Sequence, residues 1–144
     1  MITGRPRVPG FEALEPSLLA HLPLAAIREL EALDPGHARR FAMISEIGNM
    51  RLARIACDLA IPESARRIAA VLLRVTGAQE GYGGCYPGGF PITQAALGEM
   101  ANASRKLVNR VLGQLEARGW IETGYYRVKI IAPDAMIAFV NADD

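Results

Sequence analysis

Residues 92–118 read ITQAALGEMANASRKLVNRVLGQLEAR, two amphipathic segments joined by a short polar turn. Leu97, Gly98, Ala101, Ala103, Val108, Val111, Leu112 and Leu115 recur at the spacing that lets two helices pack across a tight corner. Thr93 is placed to cap the first helix and Ser104 the second, because a hydroxyl there accepts from amides that have no partner within the helix. Asn102 occupies the turn, where a left-handed backbone is expected and asparagine is the usual alternative to glycine. The exposed start of the second helix carries Arg105, Lys106, Asn109 and Arg110. Cationic donors at the N-terminal end of a helix are what readout of base edges in a DNA major groove requires. The stretch therefore predicts sequence-specific binding to double-stranded DNA.

Downstream, Gly119 ends the second helix. Trp120-Ile121-Glu122 and Arg127-Val128-Lys129-Ile130-Ile131 then read as a two-stranded ribbon, or wing, bending at Thr123-Gly124-Tyr125. Pro133–Val140 reads as a short closing helix. Upstream, residues 77–91 hold six glycines and two prolines, which predicts a loop or small hairpin turning at Pro87-Gly88-Gly89. No Gly-Lys-Ser/Thr follows, so a phosphate-cradling loop is not supported. Ser64 to Thr76 predicts a helix with Ile68, Val71, Leu72 and Val75 buried and Gly77 as its stop. Ile61-Pro62-Glu63-Ser64 separates it from a longer helix over residues 35–60, opened by Asp34 as cap and Pro35 in the first turn.

That long helix has an apolar stripe of Phe41, Ile44, Gly48, Leu52, Ile55 and Leu59, widened by Met43, Ile47 and Met50. A surface helix needs one buried stripe. An apolar surface this wide fits either a core helix of a larger domain or a seam between two copies of the chain. Nearer the N-terminus, Pro23–Leu30 predicts a short helix, Ser17–Leu22 a short strand or two, and residues 1–10 a flexible arm.

Composition narrows the function. The 144 residues are 51% hydrophobic, enough for a real core, and carry a net charge of only +1. The chain as a whole is thus no general polyanion binder, but four cations (Arg105, Lys106, Arg110, Arg118) face one acid (Glu116) between Ser104 and Arg118. No apolar run approaches the ~20 residues of a membrane span, and the N-terminus lacks the pattern of a secretory signal, so a cytoplasmic location without membrane contact is expected. Cys57 and Cys85 stand in no metal-ligand spacing and read as free thiols; His21 and His37 read as surface. With no nucleophile–base set, metal spacing or phosphate loop, the expectation is a non-enzyme with no cofactor and no metal.

The order of these elements resembles the C-terminal half of the Crp/Fnr family of bacterial transcription regulators. The resemblance covers about residues 11–140 and is most specific in Ile92-Thr93-Gln94, Leu97-Gly98-Glu99-Met100, Ser104-Arg105-Lys106-Leu107-Val108-Asn109-Arg110-Val111-Leu112 and Gly119-Trp120-Ile121. It implies a mainly α fold with a small β component, a long dimerisation helix followed by a winged helix-turn-helix. It divides the chain into an N-terminal arm with a remnant of an effector β-roll (1–33), a dimerisation helix (34–61) and a DNA-binding domain (62–144). It implies a homodimer joined through Phe41, Met43, Ile44, Ile47, Met50, Arg51 and Arg54, with RNA polymerase as a further partner. Arg105, Lys106 and Arg110 would read bases; Thr93, Gln94, Ser104, Asn109, Thr123, Tyr125 and Arg127 would touch phosphates. Two departures stand out. Lys106 occupies the place where many family members carry a glutamate that reads cytosine, and lysine donates where glutamate accepts. Nearly all of the β-roll, with its cyclic-nucleotide cassette, has no counterpart, so neither cyclic nucleotide nor iron–sulfur cluster is expected. The alternative reading is a winged-helix protein–protein interaction module without DNA binding.

Overall fold

A computed structural model of the chain describes residues 13, 16–80 and 86–142. It contains six helices among the described residues: α1 (Leu24–Leu33), α2 (Gly36–Ala60), α3 (Ser64–Thr76), α4 (Gln94–Met100), α5 (Arg105–Ala117) and α6 (Pro133–Asn141). Three short strands, β1 (Phe90–Pro91), β2 (Ile121–Gly124) and β3 (Arg127–Ile130), complete it. The fold is mainly α with a small β component, as expected. The chain divides into two compact units, Met1–Met50 and Arg51–Asp144, and the boundary falls inside α2.

In the first unit, Pro23 precedes α1 as its cap instead of occupying its first turn. Residues 16–23 form no strand, so the strands expected around Ser17–Leu22 are absent; Leu18 and Leu19 are exposed, and a strand needs a neighbour to take its backbone hydrogen bonds. The expected arm at residues 1–10 lies outside the described residues. Asp34 opens α2 as anticipated, its carboxylate accepting from the Gly36 amide at 2.8 Å. His37 is half-buried, with Nδ1 2.9 Å from the Leu30 carbonyl oxygen, so it fastens α1 to α2 instead of lying free on the surface. No residue of α2 is buried: Met43, Ile44, Ile47, Met50 and Leu52 are each more than half exposed.

The second unit has the core. Ile68, Leu72 and Leu73 of α3 meet Leu97 of α4, Val108, Val111, Leu112 and Leu115 of α5, Ile121 and Val128 of the sheet, and Met136 of α6. Glu63 caps α3 by accepting from the Ala65 and Arg66 amides, and Gly77 stops it at φ 68°, the left-handed conformation glycine adopts without strain. Two arginines at the start of α3 tie the unit together. Arg66 donates to the Val140 carbonyl at the end of α6, at 3.2 and 2.9 Å. Arg67 donates to the carbonyls of Ala101 (2.7 Å), Ile61 (2.6 Å) and Pro62 (3.3 Å) and to Ser64 Oγ (3.2 Å). A planar guanidinium spreads five donors over three nitrogens and so reaches several separated acceptors at once, where an ammonium has three donors on one nitrogen. Asp58 near the end of α2 pairs with Arg74 of α3 at 2.6 Å.

The wing is three-stranded, in the order β1-β3-β2, all antiparallel. Phe90 and Pro91, after Pro87-Gly88-Gly89, pair with Val128 and Arg127 of β3; residues 81–85 of the expected loop or hairpin lie outside the described residues. Proline is tolerated there because β1 is an edge strand. The β2–β3 bend also differs from expectation: Gly124 opposes Arg127, so the two-residue loop is Tyr125-Tyr126, and Tyr126 adopts the positive φ of 54°.

Candidate nucleic-acid interface

The corner between α4 and α5 is built for close approach. Thr93 Oγ1 accepts from the Ala96 amide at 3.0 Å and Ser104 Oγ from the Leu107 amide at 3.3 Å, capping the two helices. Asn102 takes φ 47° in the turn. The Ala103 amide donates back to the Gly98 carbonyl at 2.8 Å. A Cβ on Gly98 would stand 2.7 Å from the Ala103 carbonyl oxygen, so only glycine fits. This corner fixes the rotation of α5, and with it which side chains face out.

The inward face of α5 is Val108, Val111, Leu112 and Leu115, all buried. The outward face at its N-terminal end is Arg105, Lys106, Asn109 and Arg110, all exposed. Neither Arg105, Lys106 nor Arg110 has a hydrogen-bond or ion-pair partner among the described residues. Gln94 Nε2 donates to Asn109 Oδ1 at 3.3 Å, joining the start of α4 to this face. Arg118, the fourth cation of the stretch, is directed elsewhere: its guanidinium carbon lies 4.8 Å from the Trp120 ring centre and 5.4 Å from that of Phe139. It contributes to packing at the far end of the helix.

Beside this face lies an open cleft of about 490 Å³. Thr93, Gln94 and Arg105 line one side, Thr123, Tyr125, Tyr126 and Arg127 the other. Two contacts hold the wing at this edge. The Glu116 carboxylate accepts from both the Thr123 amide and hydroxyl, each at 2.8 Å, and these bonds hold its pKa below the ordinary carboxylate value. Arg127 Nη1 donates to the Gly89 carbonyl at 2.9 Å, leaving the other edges of its five-donor group for further partners. At the tip, the Tyr125 and Tyr126 rings pack edge to face with centres 4.2 Å apart. Hydrogen bonding to Tyr126 pushes the Tyr125 phenol above its ordinary pKa.

The family described as the Crp-like helix-turn-helix domain matches residues 66–139, more than half of the chain. The chain belongs to this family. That membership supports a DNA-binding transcription regulator. Among solved structures, the chain is similar to the crystal structure of the catabolite activator protein of Thermus thermophilus, at 24% identity and a TM-score of 0.44. That match covers 81% of this chain and 50% of the other, so the chain spans about half the length of that protein. No curated protein matches it.

Within the Crp-like domain, the structure brings most of the expected contact residues to one place. Thr93, Gln94, Ser104, Arg105, Lys106, Asn109, Arg110, Tyr125 and Arg127 lie on the α5 face or around the cleft. Thr123 is also at the cleft, where its amide and hydroxyl both donate to Glu116. Sequence reasoning missed Tyr126. The signal was the second of two adjacent tyrosines, which the register puts at the tip once Gly124 is paired with Arg127. It also missed Arg66 and Arg67, whose carbonyl partners at Val140 and Ala101 lie far along the chain. Among the described residues, no helix is long and apolar enough to cross a membrane. Cys57 is a free, exposed thiol, and Cys85 lies outside the described residues.

Proposed function

We propose that this chain is a transcription regulator that binds a pseudo-palindromic operator as a homodimer. The observation that carries the reading is the outward face of α5, where three cations stand exposed and unpaired among the described residues beside a wing-bordered cleft. Arg105, Lys106 and Arg110 enter the major groove. The two arginines prefer guanine through paired donation to O6 and N7, and Lys106 reads guanine or holds phosphate. Ser104, Thr93, Gln94, Asn109 and Arg127 contact phosphates and set the register of the helix on the duplex. Residues 62–144 act as the DNA-binding domain and residues 34–61 as the dimerisation helix, with residues 1–33 a remnant of an effector domain. The exposed apolar surface of α2 supports the pairing: Met43, Ile44, Ile47 and Met50, flanked by Phe41, Arg51 and Arg54, would be covered by the same residues of a second copy. Two recognition helices related by a two-fold axis read half-sites about one helical turn, roughly 34 Å, apart. RNA polymerase is a further partner of such a complex.

The test is selection of bound duplexes from a random pool, followed by binding of Arg105→Ala to the selected site and to mixed DNA. Arg105→Ala should lose affinity for the selected site, by about 1–3 kcal/mol per bidentate pair, and little for mixed DNA. Equal losses on both would remove Arg105 from base reading. An absence of duplex binding at low salt, where phosphate contacts are strongest, would turn the reading towards a protein–protein module.

A further inference from the structure

Tyr125 and Tyr126 stand at the tip of the wing 87% and 56% exposed. Tyr126 is held at φ 54°, a region that side chains other than asparagine and aspartate rarely adopt. The position is over-determined: the Ile92 amide donates to the Tyr126 carbonyl at 3.0 Å, and the Gly124–Arg127 pairing leaves only two residues to make the turn. Glycine would relieve the strain, yet the strained residue is a large aromatic packed edge-on against another. Backbone strain kept at an exposed tip is a pointer to use.

The placement of the tip says what it meets. Arg105 and the wing residues Thr123–Arg127 line the same cleft. With α5 in a major groove, the strand that bounds that groove runs over the cleft, past Thr93, Gln94 and Arg127. Across that strand lies the minor groove, about 6 Å wide, and the tyrosine tip is the exposed aromatic element bordering the cleft on the wing. Resting on the DNA-binding reading above, we propose that Tyr125 is a minor-groove wedge, its ring entering the groove beside the half-site and braced by Tyr126. Apolar and aromatic wedges unstack a base step and kink the duplex, and pyrimidine–purine steps yield most readily. Arg127, anchored to the Gly89 carbonyl at 2.9 Å, holds the adjacent phosphate as the step opens. The wing thereby selects flanking sequence by its deformability, at positions α5 does not reach.

The experiment uses the full chain and a duplex selected from a random pool, with the flanking step made either TA or part of a stiff A-tract. A 2-aminopurine in that step reports unstacking by a rise in fluorescence. The chain should bind the TA flank about tenfold more tightly and raise the fluorescence, in keeping with the usual strength of base–aromatic stacking. Tyr125→Ala should bind both flanks alike without the rise, and Tyr125→Phe should behave as the unaltered chain. Tyr126→Gly, which fits the positive φ, should keep the hairpin and weaken the flank preference. The wedge is overturned if Tyr125→Ala keeps the preference, or if Tyr125→Phe loses it, which would make the residue a hydroxyl contact to phosphate. Duplex binding by the unaltered chain with no flank preference overturns the wedge alone; no duplex binding at all overturns it together with the DNA-binding reading.

Discussion

Gly98→Ala tests the corner that aims α5. On an exposed helix the change is favourable by about 1 kcal/mol, because alanine is the better helix former. Here the added Cβ would stand 2.7 Å from the Ala103 carbonyl oxygen, several tenths of an ångström closer than ordinary contact allows. The obstacle is backbone in a turn already held by the Ala103–Gly98 hydrogen bond at 2.8 Å and by Asn102 at φ 47°. Relief requires α4 and the turn to part. That forfeits a hydrogen bond of about 0.5–1.5 kcal/mol and adds overpacking strain of about 1–3 kcal/mol. After the propensity gain the net loss is about 1–3 kcal/mol. At about 4–8 °C per kcal/mol for a domain of this size, the midpoint of thermal unfolding falls by roughly 4–24 °C. Gly113→Ala is the internal control. It lies in α5 with nothing within 4 Å of its added Cβ, and the substitution should raise stability by about 0.5–1 kcal/mol. Calorimetry or urea unfolding of the two variants beside the unaltered chain reads both signs. A Gly98→Ala protein as stable as the unaltered chain, with equal affinity for a selected duplex, would refute the steric argument.

Three further outcomes are expected. Arg67→Met keeps the aliphatic stem but leaves the Ala101 and Ile61 carbonyls without their donor, and should cost about 2–4 kcal/mol in urea unfolding; Arg67→Lys should recover little, and full recovery would count against the multi-acceptor account. Glu116→Gln should loosen the wing in a pH-dependent way. The folded pKa of Glu116 is lowered, so its contribution is present above the ordinary carboxylate range and disappears as pH falls through the folded value. The carboxylate is exposed, which keeps the difference below about 1 kcal/mol; amide exchange at Thr123 should differ between the two proteins at neutral pH and converge in acid, and a gap independent of pH would contradict it. Ile47→Glu, on the exposed apolar surface of α2, should reduce the light-scattering mass from two chains to one, and an unaltered dimer would exclude that surface from the seam.

What could be read in the sequence was what short-range chemistry decides. Thr93, Asn102 and Ser104 act within a few residues of themselves, and their caps and turn appear in place. Pro62 and Gly77 bound α3 for the same reason. The differences come from pairings that the local stretch does not announce. Phe90-Pro91 becomes a strand by pairing with Val128 and Arg127 of β3, far along the chain. Ser17–Leu22 forms no strand among the described residues. The wing bend was placed on Gly124 by the preference of turns for glycine, whereas the cross-strand register puts it on two tyrosines. Thr123 donates its amide and hydroxyl to Glu116, a pairing that the residues between them do not announce.

On α5 the residues that hold the fold and those that face outward interleave along the chain but share no position. Substituting Arg105, Lys106 or Arg110 disturbs no core contact, while Val108, Val111, Leu112 and Leu115 keep the helix seated. On the proposed reading, what the helix recognises and what keeps it seated are therefore set by different side chains, and a change in the first leaves the second intact.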